Sequence, residues 1–200
     1  MTVVAPPDRP RTVCIVMLSA IGDTVHVLPV ANALKRAWPE VHISWIIQSV
    51  PGALVDGHPA IDELLIYRRQ RRGGRTWTNF AELGHLVKER SFDLVLALQV
   101  YLKAGIITGL LSARTKLGFD MARARDLNWL FTNTRIPPHP PQHVQEQYLE
   151  FVRHLGVDPE PLPIGLRGPL LVSRNGSDGG ARPPPCGRAH DSQHFRVRVE

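Results

Sequence analysis

Residues Val13 to Leu18 read Val-Cys-Ile-Val-Met-Leu, an unbroken apolar, β-branched run. Such a run is how a strand covered on both faces reads. It gives way at once to Ser19-Ala-Ile-Gly22-Asp23, a turn, after which Val27, Val30, Ala31, Leu34 and Trp38 recur at helical spacing until Pro39 stops the pattern. The unit is strand, tight turn, helix. Pro29 bears on the start of that helix, because an interior proline removes a hydrogen bond and clashes with the preceding turn. Either the regular helix begins near Val25 or His26, or it is kinked.

The alternation then continues. His42 to Ile47 reads as a second strand, Pro51 to Asp56 as a short helix and Glu63 to Tyr67 as a third strand. Thr78 to Glu89 is helical in pattern, Leu94 to Leu98 a fourth strand, Lys103 to Leu111 a helix, and Lys116 to Phe119 a short fifth strand. Strands alternating with helices imply right-handed crossovers and a Rossmann-like parallel sheet with helices on both faces. After an Arg-rich turn, Leu127 to Phe131 and a Pro-rich loop at Pro137 to Pro141, a clear helix runs from Val144 to Leu155, with Gly156 as its stop signal.

Three parts follow: a short N-terminus over residues 1–11, an α/β domain over 12–166, and a tail over 167–200. The tail holds nine Gly or Pro, among them Pro183-Pro-Pro185, and shows no sustained periodicity. A segment of that composition buries too little apolar area to offset its ordering entropy and is expected to be disordered.

The formal net charge of +6 raises nucleic acid as a partner, so its distribution matters. The tail alone carries six Arg against three Asp or Glu, and 6 − 3 = +3 is half the total. A second excess, Arg68, Arg69, Arg71, Arg72 and Arg75, has no aromatic residues interleaved as stacking platforms, so no nucleic acid is expected. The two cysteines, Cys14 in the first apolar run and Cys186 in the tail, build neither a disulfide framework nor a four-ligand metal site. No stretch reaches the ~18 apolar residues of a membrane span, and Met1 to Arg11 has no secretory apolar core. A cytoplasmic setting is expected, with peripheral contact with an anionic membrane or lipid left open through the arginines.

In an open parallel sheet, ligands bind in the crevice beyond the carboxyl ends of the strands, where the loop after the first strand contributes. Gly22 and Asp23 lie in that loop. Glycine permits close backbone approach or positive φ, and an aspartate at a helix entrance either caps the helix or serves as a general base. Neither G-x-G-x-x-G nor G-K-[ST] is present, which removes the dinucleotide and P-loop readings.

Ser19-Ala-Ile-Gly-Asp-Thr-Val-His-Val-Leu-Pro29 resembles the opening motif of glycosyltransferase family 9, the heptosyltransferases of lipopolysaccharide core assembly. Further features agree in order: Phe92-Asp-Leu-Val-Leu-Ala-Leu-Gln99, Lys103 just after it, Leu117-Gly-Phe-Asp120, and His143-Val-Gln-Glu-Gln-Tyr148 opening a helix. The resemblance implies a two-domain GT-B fold of which this chain is the N-terminal, acceptor-binding half. It also implies an inverting, metal-independent transfer from an ADP-heptose donor to a lipid A inner-core acceptor, with no cofactor.

The resemblance makes Asp23 the catalytic base. Ser19, Gly22, His26, Arg68, Arg69, Gln99, Lys103 and Arg125 become candidate acceptor-binding residues, since arginine and lysine hold carboxylates and phosphates by charge-assisted hydrogen bonds. Each has a plainer reading: a solvated face for the arginines, a strand-end hydrogen bond to backbone for Gln99, and packing for His26. His143 reads as a helix cap and Asp120 as a turn residue. The family has Gly after the strand-end Gln where this chain has Val100. A GT-B enzyme also needs a second Rossmann-like domain, on the order of 150 residues, and nothing after Gly165 resembles one, so the donor-binding domain is expected to be missing. The rival is a non-catalytic module that binds an anionic glycolipid or sugar phosphate in the same crevice.

Overall fold

The computed structural model describes residues 9–67, 83–85 and 87–160. The tail expected to be disordered, the basic cluster with Arg68 and Arg69, Cys186 and half of the helix read over Thr78 to Glu89 lie outside the described residues, although residues 83–85 and 87 are helical.

Six strands form one sheet: β1 (Thr12–Val16), β2 (His42–Gln48), β3 (Glu63–Tyr67), β4 (Ser91–Ala97), β5 (Ser112–Gly118) and β6 (Thr134–Arg135). Their order is β3-β2-β1-β4-β5-β6, and every pairing is parallel. This is the doubly wound Rossmann order. The helices are α1 (Ile21–Ala37), α2 (Ser49–Val55), α3 (Leu102–Leu110) and α4 (Val144–His154), with a 3-10 turn at Asn128–Phe131.

β1 is central and buried because its neighbours cover both faces. Val13, Ile15 and Met17 belong to one apolar cluster with Val27, Leu28, Ala31 and Leu34 of α1 and Leu149, Phe151 and Val152 of α4. Cys14, Val16 and Leu18 point the other way, into a cluster with Ala104 and Ile107 of α3 and with Leu83 and Val87. The strand period of two thus divides one apolar run between two cores. Burial pushes the Cys14 thiol well above its ordinary value, so it stays protonated and acts as a small apolar residue.

The structure revises three expectations. The helix after β1 does not wait until Val25 or His26: it starts at Ile21 and runs through Pro29. An interior proline costs about 3 kcal/mol, and here Val27, Leu28, Pro29, Val30 and Ala31 are all buried, which offsets it. β5 begins four residues earlier than read, at Ser112, because the side chains of Ser112 and Arg114 are exposed and hid the strand from an apolar pattern. β6 was not foreseen at all. It is two residues long, pairing Thr134 and Arg135 with Leu117 and Gly118.

Gly156 ends α4 as expected. Its φ is +73°, its N–H donates to the Arg153 carbonyl at 3.0 Å, and the Val157 N–H donates to the Val152 carbonyl at 3.1 Å. These two bonds are the paired closure of a Schellman motif. No helix of the described residues is long and apolar enough to cross a membrane.

Candidate functional site

The chain leaves β1 toward β2 on one side and leaves β4 toward β5 on the other, so the loops after β1 and β4 diverge and open a crevice at their carboxyl ends. The loop after β1 is fixed from several directions. The indole Nε1 of Trp45 donates to the Met17 carbonyl at 3.0 Å, and the Gln48 N–H donates to the Leu18 carbonyl at 3.0 Å. Gln99, past the end of β4, accepts the Leu18 N–H at 3.1 Å and donates to the Ser19 carbonyl at 3.0 Å. Asn128, 3% exposed, donates to the carbonyls of Gln99 at 3.1 Å and Tyr101 at 2.8 Å. The Gln99 amide therefore takes the strand-end reading, a strut between two loops, and Ser19 is its partner through the backbone.

Asp23 is the third residue of α1, and its carboxylate accepts the Ala20 N–H at 3.2 Å. This is half of a capping box, since alanine has no side-chain acceptor to return the bond. Burial first, and then the nearby Asp23 charge, push the Tyr148 phenol on α4 well above its ordinary value, so the tyrosine stays protonated. Among the described residues Asp23 has no ion-pair partner. Both readings of Asp23 are thus compatible: it caps α1, and its charge is not neutralised by a neighbouring cation there.

The amino ends of α1 and α4 meet around it. His26 Nδ1 lies 3.4 Å from Gln145 Oε1, and its ring meets that of His143 edge to face at 5.4 Å. His143 Nδ1 accepts the Gln145 N–H at 3.3 Å, the helix-capping role expected of it. Gly22 is exposed, and a Cβ built on it would meet nothing within 4 Å. Neither crowding nor positive φ demands glycine there.

Of the basic candidates, Lys103 and Arg125 follow β4 and β5 at the same end of the sheet. Lys103, at the start of α3, places Nζ 4.3 Å from the centre of the Tyr67 ring, and the Arg125 guanidinium lies 6.0 Å from the centre of the Tyr101 ring. Arg125 is exposed, while its N–H donates to the Val100 carbonyl at 2.9 Å. Val100 thus ties the loop after β4 to the loop after β5, where the family has glycine.

Asp120 is a turn residue, as expected. It accepts the N–H groups of Ala122 at 2.9 Å and Arg123 at 3.2 Å and pairs with the Arg123 side chain. Arg123 also forks onto Glu150 of α4 at 2.8 and 2.7 Å. Burial opposes the Asp120 charge, but Arg123 outweighs it and holds the carboxyl below the ordinary range.

One participant was not singled out from sequence. Asn128 carried no signal, since its function depends on two carbonyls brought together only by the fold.

Residues 80–167 match glycosyltransferase family 9 (heptosyltransferase). The chain is 31% identical over 150 residues to a lipopolysaccharide core heptosyltransferase of Haemophilus influenzae, covering 75% of this chain and 42% of that protein. It is 27% identical over 122 residues to lipopolysaccharide heptosyltransferase 1 of Pseudomonas aeruginosa, covering 57% and 34%. Among solved structures, an Escherichia coli heptosyltransferase with ADP-2-deoxy-2-fluoro heptose superposes with a TM-score of 0.66 at 23% identity, over 75% of this chain and 50% of that one. A family 9 glycosyl transferase from Veillonella parvula gives 0.63 at 20% identity, over 74% and 42%. The structural likeness shows the shared fold, and the chain spans less than half the length of these curated relatives. The matched segment and the relatives together make this chain similar to glycosyltransferase family 9, the heptosyltransferases.

Proposed function

We propose that this chain forms the acceptor side of an inverting, metal-independent heptosyltransferase that moves heptose from ADP-heptose to the inner core of lipopolysaccharide, with Asp23 as general base. One observation carries the reading: at the switch point of the sheet, a carboxylate in the first turn of α1 accepts a backbone N–H and has no ion-pair partner among the described residues. Such a group can take a proton from a bound hydroxyl.

In the proposed step the acceptor hydroxyl gives its proton to Asp23 while its oxygen bonds to the anomeric carbon. The bond from that carbon to the ADP oxygen breaks, and ADP leaves with the electron pair from the opposite face, which inverts the configuration. Arg125 and Lys103, with Arg68 and Arg69 beyond the described residues, would hold the carboxylates and phosphates of the acceptor. The same cations would draw the protein to an anionic lipid surface. Ser19 and Gln99 support the reading as the frame behind Asp23, and His26 as part of the polar cluster beside it.

The test is heptose transfer from ADP-heptose to a deacylated lipid A inner-core acceptor, comparing this chain with Asp23→Asn. Where the parent turns over, loss of turnover in the variant is the expected result. Turnover retained by the variant rules out Asp23 as base. Acceptor binding by both with turnover by neither gives the non-catalytic glycolipid-binding reading instead.

A further inference from the structure

We propose that Asn128 is a positioning residue for Asp23 that acts through Gln99: it fixes the loop after β4, and the Gln99 side chain on that loop fixes the β1 loop against which the carboxylate is held. The proposal rests on the reading of Asp23 as base.

Each link is a hydrogen bond between placed partners. Backbone pairing joins the β1 and β4 segments as far as the Leu98 N–H, which donates to the Val16 carbonyl at 3.2 Å. Just past it, the Leu18 N–H and the Ser19 carbonyl are taken by the Gln99 side chain instead, at 3.1 and 3.0 Å. The next N–H, that of Ala20, is the one the Asp23 carboxylate accepts at 3.2 Å. Gln99 can brace the β1 loop only while its own backbone is held. Asn128 holds it, donating to the Gln99 carbonyl at 3.1 Å and to the Tyr101 carbonyl at 2.8 Å.

The asparagine is seated firmly in its turn. It is 3% exposed, and its N–H donates to the Arg125 carbonyl at 2.9 Å. Helix α3 makes room for it with glycine: a Cβ on Gly105 would meet Asn128 Nδ2 at 3.0 Å and the Phe131 ring at 2.7 Å. An apolar side chain of similar size would fill that space. The amide adds directed bonds, which set where the β4 loop sits. A shift at Asn128 therefore reaches the β1 loop as a misplaced carboxylate, and misplacement on the scale of ~1 Å can cost about 100-fold in rate.

The experiment uses Asn128→Ala and Gln99→Met, singly and combined, with Gly105→Ala to crowd the asparagine without replacing it. Independently of turnover, solvent exchange of the Leu18 and Ala20 amides, read by NMR, should quicken about three- to tenfold in Asn128→Ala. The amides of Ile15 and Val95 in the centre of the sheet should not change. Because the asparagine acts through Gln99, adding Asn128→Ala to Gln99→Met should quicken exchange no further. In steady-state transfer, Asn128→Ala should lower kcat about 10- to 100-fold. Acceptor KM should change little, since Arg125 keeps its own backbone bond to the Val100 carbonyl at 2.9 Å.

Unchanged exchange at Leu18 and Ala20, or effects of the two substitutions that add, overturns the proposal. If Asn128→Ala quickens exchange throughout the sheet, Gly105→Ala decides: faster exchange confined to Leu18 and Ala20 supports the brace, and any other pattern removes it. Where the parent does not turn over, the exchange cycle decides alone. Turnover retained in Asp23→Asn ends the base reading and with it the positioning role. Loss in Asp23→Asn, with Asn128→Ala turning over like the parent, removes only the role of the asparagine.

Discussion

Asp23 and Asp120 make an instructive pair. Both follow a parallel strand at the same end of the sheet, and both accept backbone N–H groups close in sequence. Asp120 is 7% exposed and locked to Arg123, which in turn grips Glu150. Asp23 is half-buried, accepts the Ala20 N–H and has no ion-pair partner among the described residues. A carboxylate neutralised by a guanidinium is committed to holding loops together. One without a cationic partner is open to a substrate proton, which is the role proposed for Asp23. Position in the fold is shared, and the partner decides the role.

That contrast can be broken most sharply by exchanging the same chemistry at both sites. Asp23→Asn should reduce transfer on the order of 10²- to 10⁴-fold while leaving the thermal midpoint close to that of the parent, read by an activity assay beside calorimetry. A large fall in stability would place Asp23 with Asp120 as a structural residue. Arg123→Ala should do the reverse. Breaking a buried pair costs ~3–5 kcal/mol, and some remaining access to water lowers the expected loss to roughly 2–3 kcal/mol, measured by urea unfolding. A loss under about 0.5 kcal/mol would remove the network from the stability account.

Acid sharpens the comparison further. For Asp62, as for Asp120, burial works against the charge, but the Ile43 N–H and Lys35 hold it below the ordinary value. A depressed folded value means stability that is fully present above about pH 4, the unfolded aspartate range, and lost as pH falls through the folded values. Urea midpoints should therefore drop steadily below pH 4, and less steeply in Asp120→Asn. A midpoint that stays flat into that range would contradict the assignment. The smallest effect belongs to a site remote from both carboxylates. Gly156→Ala meets no steric obstacle, so its cost is that of placing alanine at φ +73°, about 1 kcal/mol.

The parallel sheet was legible because β1, β2 and β4 are buried on both faces and so read as apolar runs. The polar start of β5 and the two residues of β6 were not, because near a sheet edge exposed side chains satisfy the backbone ladder as well as apolar ones do. Pro29 misdirected the helix start: propensity argued for a break, and tertiary burial overrode it. At the site, Asp23 and His143 were visible from their places at helix entrances. Gln99 was visible, but its partners were not, since Leu18 and Ser19 lie 80 residues away or more.

The Asn128 and Gln99 struts also bear on how this family can be re-engineered. Asn128 lies just past the segment that carries Arg125, and it holds the carbonyl of the residue whose amide holds the β1 loop. Grafting residues 119–128 from a relative with a different acceptor would thus transplant more than a recognition surface. It would change a brace of the loop that leads into Asp23, so altered specificity and altered turnover should arrive together unless the asparagine is retained. Swaps that stop at Arg125 leave the brace in place and, on the acceptor role proposed for Arg125, offer the cleaner route to a new acceptor.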